Sequence, residues 1–142
     1  MKLVSDPITV LVIDDEPAHR ELCRLAVADE PDLRFVGQAH SAMRGAELAE
    51  RLQPDVIVLD LSMPVMDGFE AMPLLKRLSP TASIVIWSSA DEYLLRRAMG
   101  MGAVAFVPKL APAQRLVDAI HGTHPSRHAD DRVISMIAAD PT

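Results

Sequence analysis

The sequence predicts an α/β domain built on a doubly wound, five-stranded parallel sheet with helices on both faces, a (βα)5 order. Three observations predict it. Short, continuous, β-branched runs such as Ile8-Thr9-Val10-Leu11-Val12-Ile13 read as strands buried on both faces. A stretch with apolar residues at helical spacing follows each run, so strand and helix alternate five times. The connections are short, which with right-handed crossovers means a parallel sheet covered by helices on both sides.

Asp14-Asp15-Glu16-Pro17 ends the first strand, and Pro17 suits the first turn of a helix. That helix is expected from Pro17 to Ala28, with Leu22, Leu25 and Ala26 at helical spacing and Glu30-Pro31-Asp32 as the turn after it. Leu33 to Ala39 is a weaker second strand, nearer the sheet edge. Ser41 caps a second helix whose apolar positions are Ala42, Ala46, Leu48, Ala49 and Leu52, and Gln53-Pro54 closes it. Asp55 to Asp60 is the third strand. After the loop Leu61 to Gly68, a third helix runs to Leu78; Pro73 removes a hydrogen bond from it and predicts a late start or a bend. Ser83 to Ser88 is the fourth strand. Asp91 to Met101 is the fourth helix, with Gly102 as its terminal glycine. Val104 to Pro108 is the fifth strand, and Pro112 opens a fifth helix with Leu116, Val117 and Ile120 on one face, ending near Gly122.

The chain divides into one domain over residues 1–122 and an extension over 123–142, in which Val133, Ile134, Met136 and Ile137 suit one short amphipathic helix. A total of 142 residues fits one domain of roughly 150 and buries enough surface to need no disulfide or metal staple. Aromatics are only 4%, so aliphatic side chains must build the core. The net charge of −6 argues against generic nucleic-acid binding and against adhesion to anionic membranes. Cys23 is the single cysteine, which excludes an internal disulfide and a cysteine-based zinc cluster. It is expected in the core. The polar N-terminus shows no cleavable apolar segment, and no run approaches a membrane span, so a cytoplasmic protein is expected.

In a doubly wound sheet, ligands bind beyond the carboxyl ends of the strands. Those ends carry Asp14-Asp15, Asp60, Ser88-Ser89 and Lys109. Clustered carboxylates repel one another unless a hard cation neutralises them, and magnesium suits carboxylates plus a phosphoryl oxygen. Lys109 adds a compact positive charge and a phosphate donor. A carboxylate nucleophile, a metal and an ammonium clamp are equipment for phosphoryl transfer.

These motifs, in order, resemble the response-regulator receiver domains of two-component signalling: Asp14-Asp15-Glu16-Pro17 after an apolar run, Asp60-Leu61-Ser62-Met63-Pro64-Val65-Met66-Asp67-Gly68, Ser88, and Phe106 three residues before Lys109. The resemblance covers residues 7 to 122 and implies a flavodoxin-like fold. It implies that Asp60 accepts a phosphoryl group from the phosphohistidine of a histidine kinase or phosphotransfer protein. Asp14, Asp15, Asp60 and the backbone carbonyl of Ser62 would hold Mg2+, Asp15 more directly than Asp14. Ser88 would bond a phosphoryl oxygen, Lys109 would pair with the phosphoryl group, and Phe106 would change rotamer as Ser88 moves. Pro64 and Gly68 would shape the acceptor loop. Such a protein is a switch, an enzyme only in assisting its own phosphorylation and hydrolysis.

Some positions depart from the family pattern. Leu110, not proline, follows Lys109, as in the subgroup often fused to helix-turn-helix domains. Ser88 directly ends the fourth strand, while Ser89-Ala90 also matches the hydroxyl–alanine pair, so both hydroxyls are candidates. Phe106 lacks the ring hydroxyl of tyrosine. Trp87 suits either the core or the fourth helix, and Met63 and Met66 suit packing or a soft docking surface. No histidine shows ligand spacing. Residues 123–142 leave no room for a DNA-binding domain, so a single-domain regulator and a receiver fragment both fit. The expected output is through a protein partner, with a homodimer as one form, and without direct nucleic-acid contact. An aspartate-nucleophile phosphatase would need an acid where Ser62 stands, and no phosphate-binding Gly-Lys loop supports a nucleotide-binding protein. A receiver degenerated into a pure binding module is opposed by the intact acids and Lys109.

Overall fold

The computed structural model describes residues 6–125. Five strands and five helices alternate: β1 Ile8–Ile13, α1 Pro17–Ala28, β2 Leu33–Ala39, α2 Ala42–Leu52, β3 Val56–Leu59, α3 Gly68–Leu78, β4 Ser83–Ser88, α4 Glu92–Gly100, β5 Ala105–Pro108 and α5 Ala113–Thr123. All strands pair in parallel, in the order β2-β1-β3-β4-β5. β2, the less apolar strand, takes an edge as expected. The extension from residue 126 onward, with its expected helix, lies outside the described residues.

The continuous apolar runs follow from a two-faced sheet. Successive side chains in a strand point to opposite faces. Leu11, Ile13, Ile57, Leu59, Ile84 and Ile86 face one way and pack with α2, α3 and α4 through Ala46, Ala49, Met72, Leu75, Leu95 and Ala98. Val10, Val12, Val56, Val58, Val85 and Trp87 face the other way and pack with α1 and α5 through Cys23, Val27, Leu116, Val117 and Ile120. Trp87 therefore sits in the core on the α1–α5 side, away from α4. Met63 is buried and Met66 packs on the same cluster, so packing accounts for both.

The helix ends obey local chemistry. Ser41 Oγ accepts from the Arg44 amide at the start of α2, and Asp91 accepts from the Leu94 amide at the start of α4. Asp67 and Glu70 form a capping box, each side chain accepting from the other's amide. This cap starts α3 at Gly68, so the late start that Pro73 suggested does not occur. Pro73 lies inside the helix and is exposed, where the ring meets water instead of neighbours. One expectation fails on α1. Leu22 and Leu25 are exposed, at 43% and 50%, and the buried face is Cys23 and Val27. The sheet meets the helix on the side of Cys23 and Val27, where Ala26 also packs, half-buried, and Leu22 and Leu25 turn outward.

At the end of the sheet opposite the acids, His121 in α5 pairs with Asp32 before β2, Nε2 lying 2.9 Å from Oδ2. This pair ties the last turn of α5 to the sheet edge.

Candidate functional site

The strand order reverses direction at β1 and β3, so the crevice beyond their carboxyl ends is where such a sheet binds ligands. Asp14 follows β1 and Asp60 follows β3. The two positions are tied together by backbone, the Asp60 amide donating to the Ile13 carbonyl. A carboxylate oxygen from each of Asp14, Asp15 and Asp60 lies within 4.8 Å of the others. Asp14 and Asp60 are buried, at 1% and 4% exposure, and Asp15 is half-buried.

Each acid is fixed by named donors. Asp60 Oδ1 accepts from the Ser88 hydroxyl at 2.8 Å and from the Ser62 amide at 3.2 Å. Asp60 Oδ2 accepts from Lys109 Nζ at 3.2 Å. Asp14 Oδ1 accepts from the Glu16 amide at 2.9 Å. Lys109 Nζ stands 2.7 Å from Asp14 Oδ2 as a buried ion pair. Burial pushes the Asp14 carboxyl above the usual carboxylate range, and the nearby Asp60 charge adds to this. Lys109 and the Glu16 amide pull the other way.

Lys109 is placed by the sheet. It follows β5, its amide donates to the Ser88 carbonyl, and its side chain is 7% exposed. The ammonium lies 5.6 Å above the Trp87 ring. Ser88 is fully buried and Ser89 is exposed, so the hydroxyl that reaches Asp60 is that of Ser88. Phe106 pairs in register with Ile86 and packs, half-buried, on the α3–α4 side of the sheet.

Gly68 has a steric role. A Cβ there would stand 2.4 Å from the Asp60 carbonyl oxygen and 2.8 Å from the Leu61 Cα. Both are backbone atoms, so only glycine lets α3 start this close to the Asp60 loop. Val65, in the same loop, has φ 70 and is fully exposed.

The sequence reading passed over His19. Its Nδ1 lies 3.0 Å from Lys109 Nζ and 3.8 Å from Asp14 Oδ1, and its ring meets Trp87 edge-on at 5.6 Å. Only its place one helical turn after Asp15, on the helix that leaves β1, could have pointed to it.

Comparison with known proteins gives the family of the chain. The response regulator receiver domain family matches residues 10–121. This chain belongs to that family, the phosphoacceptor modules of two-component systems. Among curated proteins it is similar to the nitrate/nitrite response regulator protein NarL of Escherichia coli, 38% identical over 82% of this chain and 55% of that protein. It is also similar to a protein-glutamate methylesterase/protein-glutamine glutaminase of Moorella thermoacetica, 38% identical over 79% of this chain and 27% of that one. The chain thus spans about half or less of these relatives. Among solved structures, the response regulator domain of Thermotoga maritima CheB superposes with a TM-score of 0.77, at 29% identity over 84% of this chain and 97% of that one. The signal receiver domain of the putative response regulator NarL of Mycobacterium tuberculosis gives 0.78, at 27% identity over 84% and 98%. No helix among the described residues is long and apolar enough to cross a membrane.

Proposed function

We propose that Asp60 is the phosphoacceptor of a magnesium-dependent switch, taking its phosphoryl group from the phosphohistidine of a histidine kinase or phosphotransfer protein. The observation that carries this is the convergence on Asp60 of two further carboxylates and the Lys109 ammonium at the strand ends. A carboxylate oxygen of Asp60 attacks phosphorus as the P–N bond to the donor's phosphohistidine breaks; with the ring's other nitrogen protonated, the products are an acyl phosphate and a neutral imidazole. Lys109 pairs with the charge on the phosphoryl oxygens.

The donor set suits magnesium, which takes oxygen ligands and keeps several waters. Asp14, Asp15, Asp60 and the Ser62 carbonyl would hold it, the three carboxylates each offering an oxygen within 4.8 Å of the others. The ion supplies neutralisation of the phosphoryl charge during transfer.

The Ser88 hydroxyl, now on Asp60, moves to a phosphoryl oxygen once Asp60 is modified, and Phe106 turns into the space released. The face formed by α4, β5 and α5 then carries the signal, a local charge change read through a two-state core. Tyr93 in α4 and Val104 just before β5 are exposed and suit a protein partner, a second copy of the chain included, in the cytoplasm. The charge of −6 suits protein contact better than DNA contact. The domain is read as residues 1–122, with 123–142 as an extension that serves a regulator, whether single-domain or joined to an output domain.

Intact mass after incubation with acetyl phosphate and Mg2+ tests the central claim. One added phosphoryl group is expected on the wild-type chain and none on Asp60→Asn or after chelation with EDTA. Label persisting on Asp60→Asn would sink the assignment.

A further inference from the structure

We infer that His19 is a positioning residue that holds Lys109 for the phosphoryl group through an accepted hydrogen bond at Nδ1. The inference deepens the phosphoacceptor reading and rests on it for its effect on transfer.

The chemistry of the contact is one-sided. A lysine ammonium carries three donors and no acceptor. The 3.0 Å contact between Lys109 Nζ and His19 Nδ1 therefore needs a lone pair on Nδ1. A neutral imidazole with its proton on Nε2 supplies that lone pair. The ammonium thus has three neighbours: Asp60 Oδ2 at 3.2 Å, Asp14 Oδ2 at 2.7 Å and His19 Nδ1.

Two of these three change their roles on modification. Asp60 becomes an acyl phosphate, and Asp14 stands among the proposed metal ligands. His19 takes no part in either event. It is the one neighbour whose bond to Lys109 stays the same in both states. The imidazole is itself fixed by its edge-on contact with Trp87, a core side chain of 2% exposure, and by its place on α1. Without it, the two carboxylates are opposed only by the more distant Trp87 ring, and they would draw the ammonium down onto them and away from the incoming group. The His19 side chain is 36% exposed, so it lies between the buried acids and solvent.

The test compares His19→Leu with His19→Asn. Leucine keeps bulk against Trp87 and removes the acceptor, whereas the asparagine amide oxygen can stand where Nδ1 stands. The rate of labelling by acetyl phosphate with Mg2+ should fall roughly tenfold in His19→Leu, as for loss of one hydrogen bond to a charged group, and recover most of the loss in His19→Asn. Thermal melts should differ little among the three proteins. A second readout does not depend on phosphorylation. The chain has three lysines, Lys2, Lys76 and Lys109, so a nitrogen-15 spectrum of the ammonium groups is sparse. A slowly exchanging signal from buried Lys109 is expected in the wild-type chain and His19→Asn, and its loss or a clear shift in His19→Leu. Wild-type labelling rates and an unchanged ammonium signal in His19→Leu would overturn the inference. So would an asparagine variant as slow as the leucine variant, because shape and not the acceptor would then matter. A wild-type chain that takes no label would count against the phosphoacceptor reading itself, and the ammonium spectra would then decide the role of His19 alone.

Discussion

Val65 is a β-branched residue at φ 70 with its side chain in water, so it bears the strain of the left-handed region and recovers none of it by burial. Val65→Gly should stabilise the chain by about 1 kcal/mol, the relief of strain outweighing the added freedom of the unfolded glycine. A urea titration followed by circular dichroism checks this, and a lower midpoint would contradict it. Cys23 is the opposite kind of residue. Burial, and secondly the Asp14 charge, push its thiol up to about 12, so almost no thiolate forms near neutral pH. Iodoacetamide at pH 8 should leave the native protein unmodified over a time that alkylates the urea-unfolded chain fully. The same burial explains why Cys23, expected in the core, lies there although its neighbours Leu22 and Leu25 do not.

At the scale of elements, the start of α3 and the loop that carries Asp60 are one mechanical unit. The Asp67–Glu70 capping box fixes where the helix begins, and Gly68 lets its first turn touch the Asp60 carbonyl. Gly68→Ala would push on backbone at 2.4 Å and 2.8 Å, and backbone has no rotamer by which to yield. The variant should lose about 1–3 kcal/mol of stability, as overpacked sites do. It should also take label from acetyl phosphate more slowly, because the Asp60 loop must shift. Thermal denaturation and a labelling time course check the two effects, and unchanged labelling would separate Gly68 from the site.

For the whole molecule, the charges of the site oppose the fold when no cation is present. The folded state raises the Asp14 carboxyl above its ordinary value of 3.8, so the ionised form costs stability at neutral pH. That cost falls away as pH drops through the raised folded-state value toward the unfolded one. Without added metal, Asp14→Asn should therefore melt higher than the wild-type chain at pH 8, with the advantage shrinking as the buffer is acidified. Added Mg2+ should raise the wild-type melting temperature by mass action and the variant's far less. Melts at pH 8 and pH 5, each with and without Mg2+, check the sign; a variant that melts lower at pH 8 in EDTA would contradict it.

The strands, their order along the chain and the acids at their ends were legible in the sequence, because a strand covered on both faces must be apolar throughout and must stop at its first charge. The Ser41 cap was legible as well, since it satisfies an amide only three residues away, whereas the Asp67–Glu70 box was not read and Pro73 misled on the start of α3. What the tertiary structure alone decided depends on partners distant in the chain. Which stripe of α1 is buried depends on how the helix lies on the sheet: Ala26 packs on the core as its spacing suggested, but Leu22 and Leu25 face water. That Ser88 and not Ser89 reaches Asp60 is settled by the alternation of β4, which turns one hydroxyl inward and the next out. The contact of His19 with Lys109 joins residues 90 positions apart, and the pairing of His121 with Asp32 joins residues 89 apart. Neither leaves a local pattern, because a single polar side chain has no period, and only the closing of the sheet brings its partner within reach.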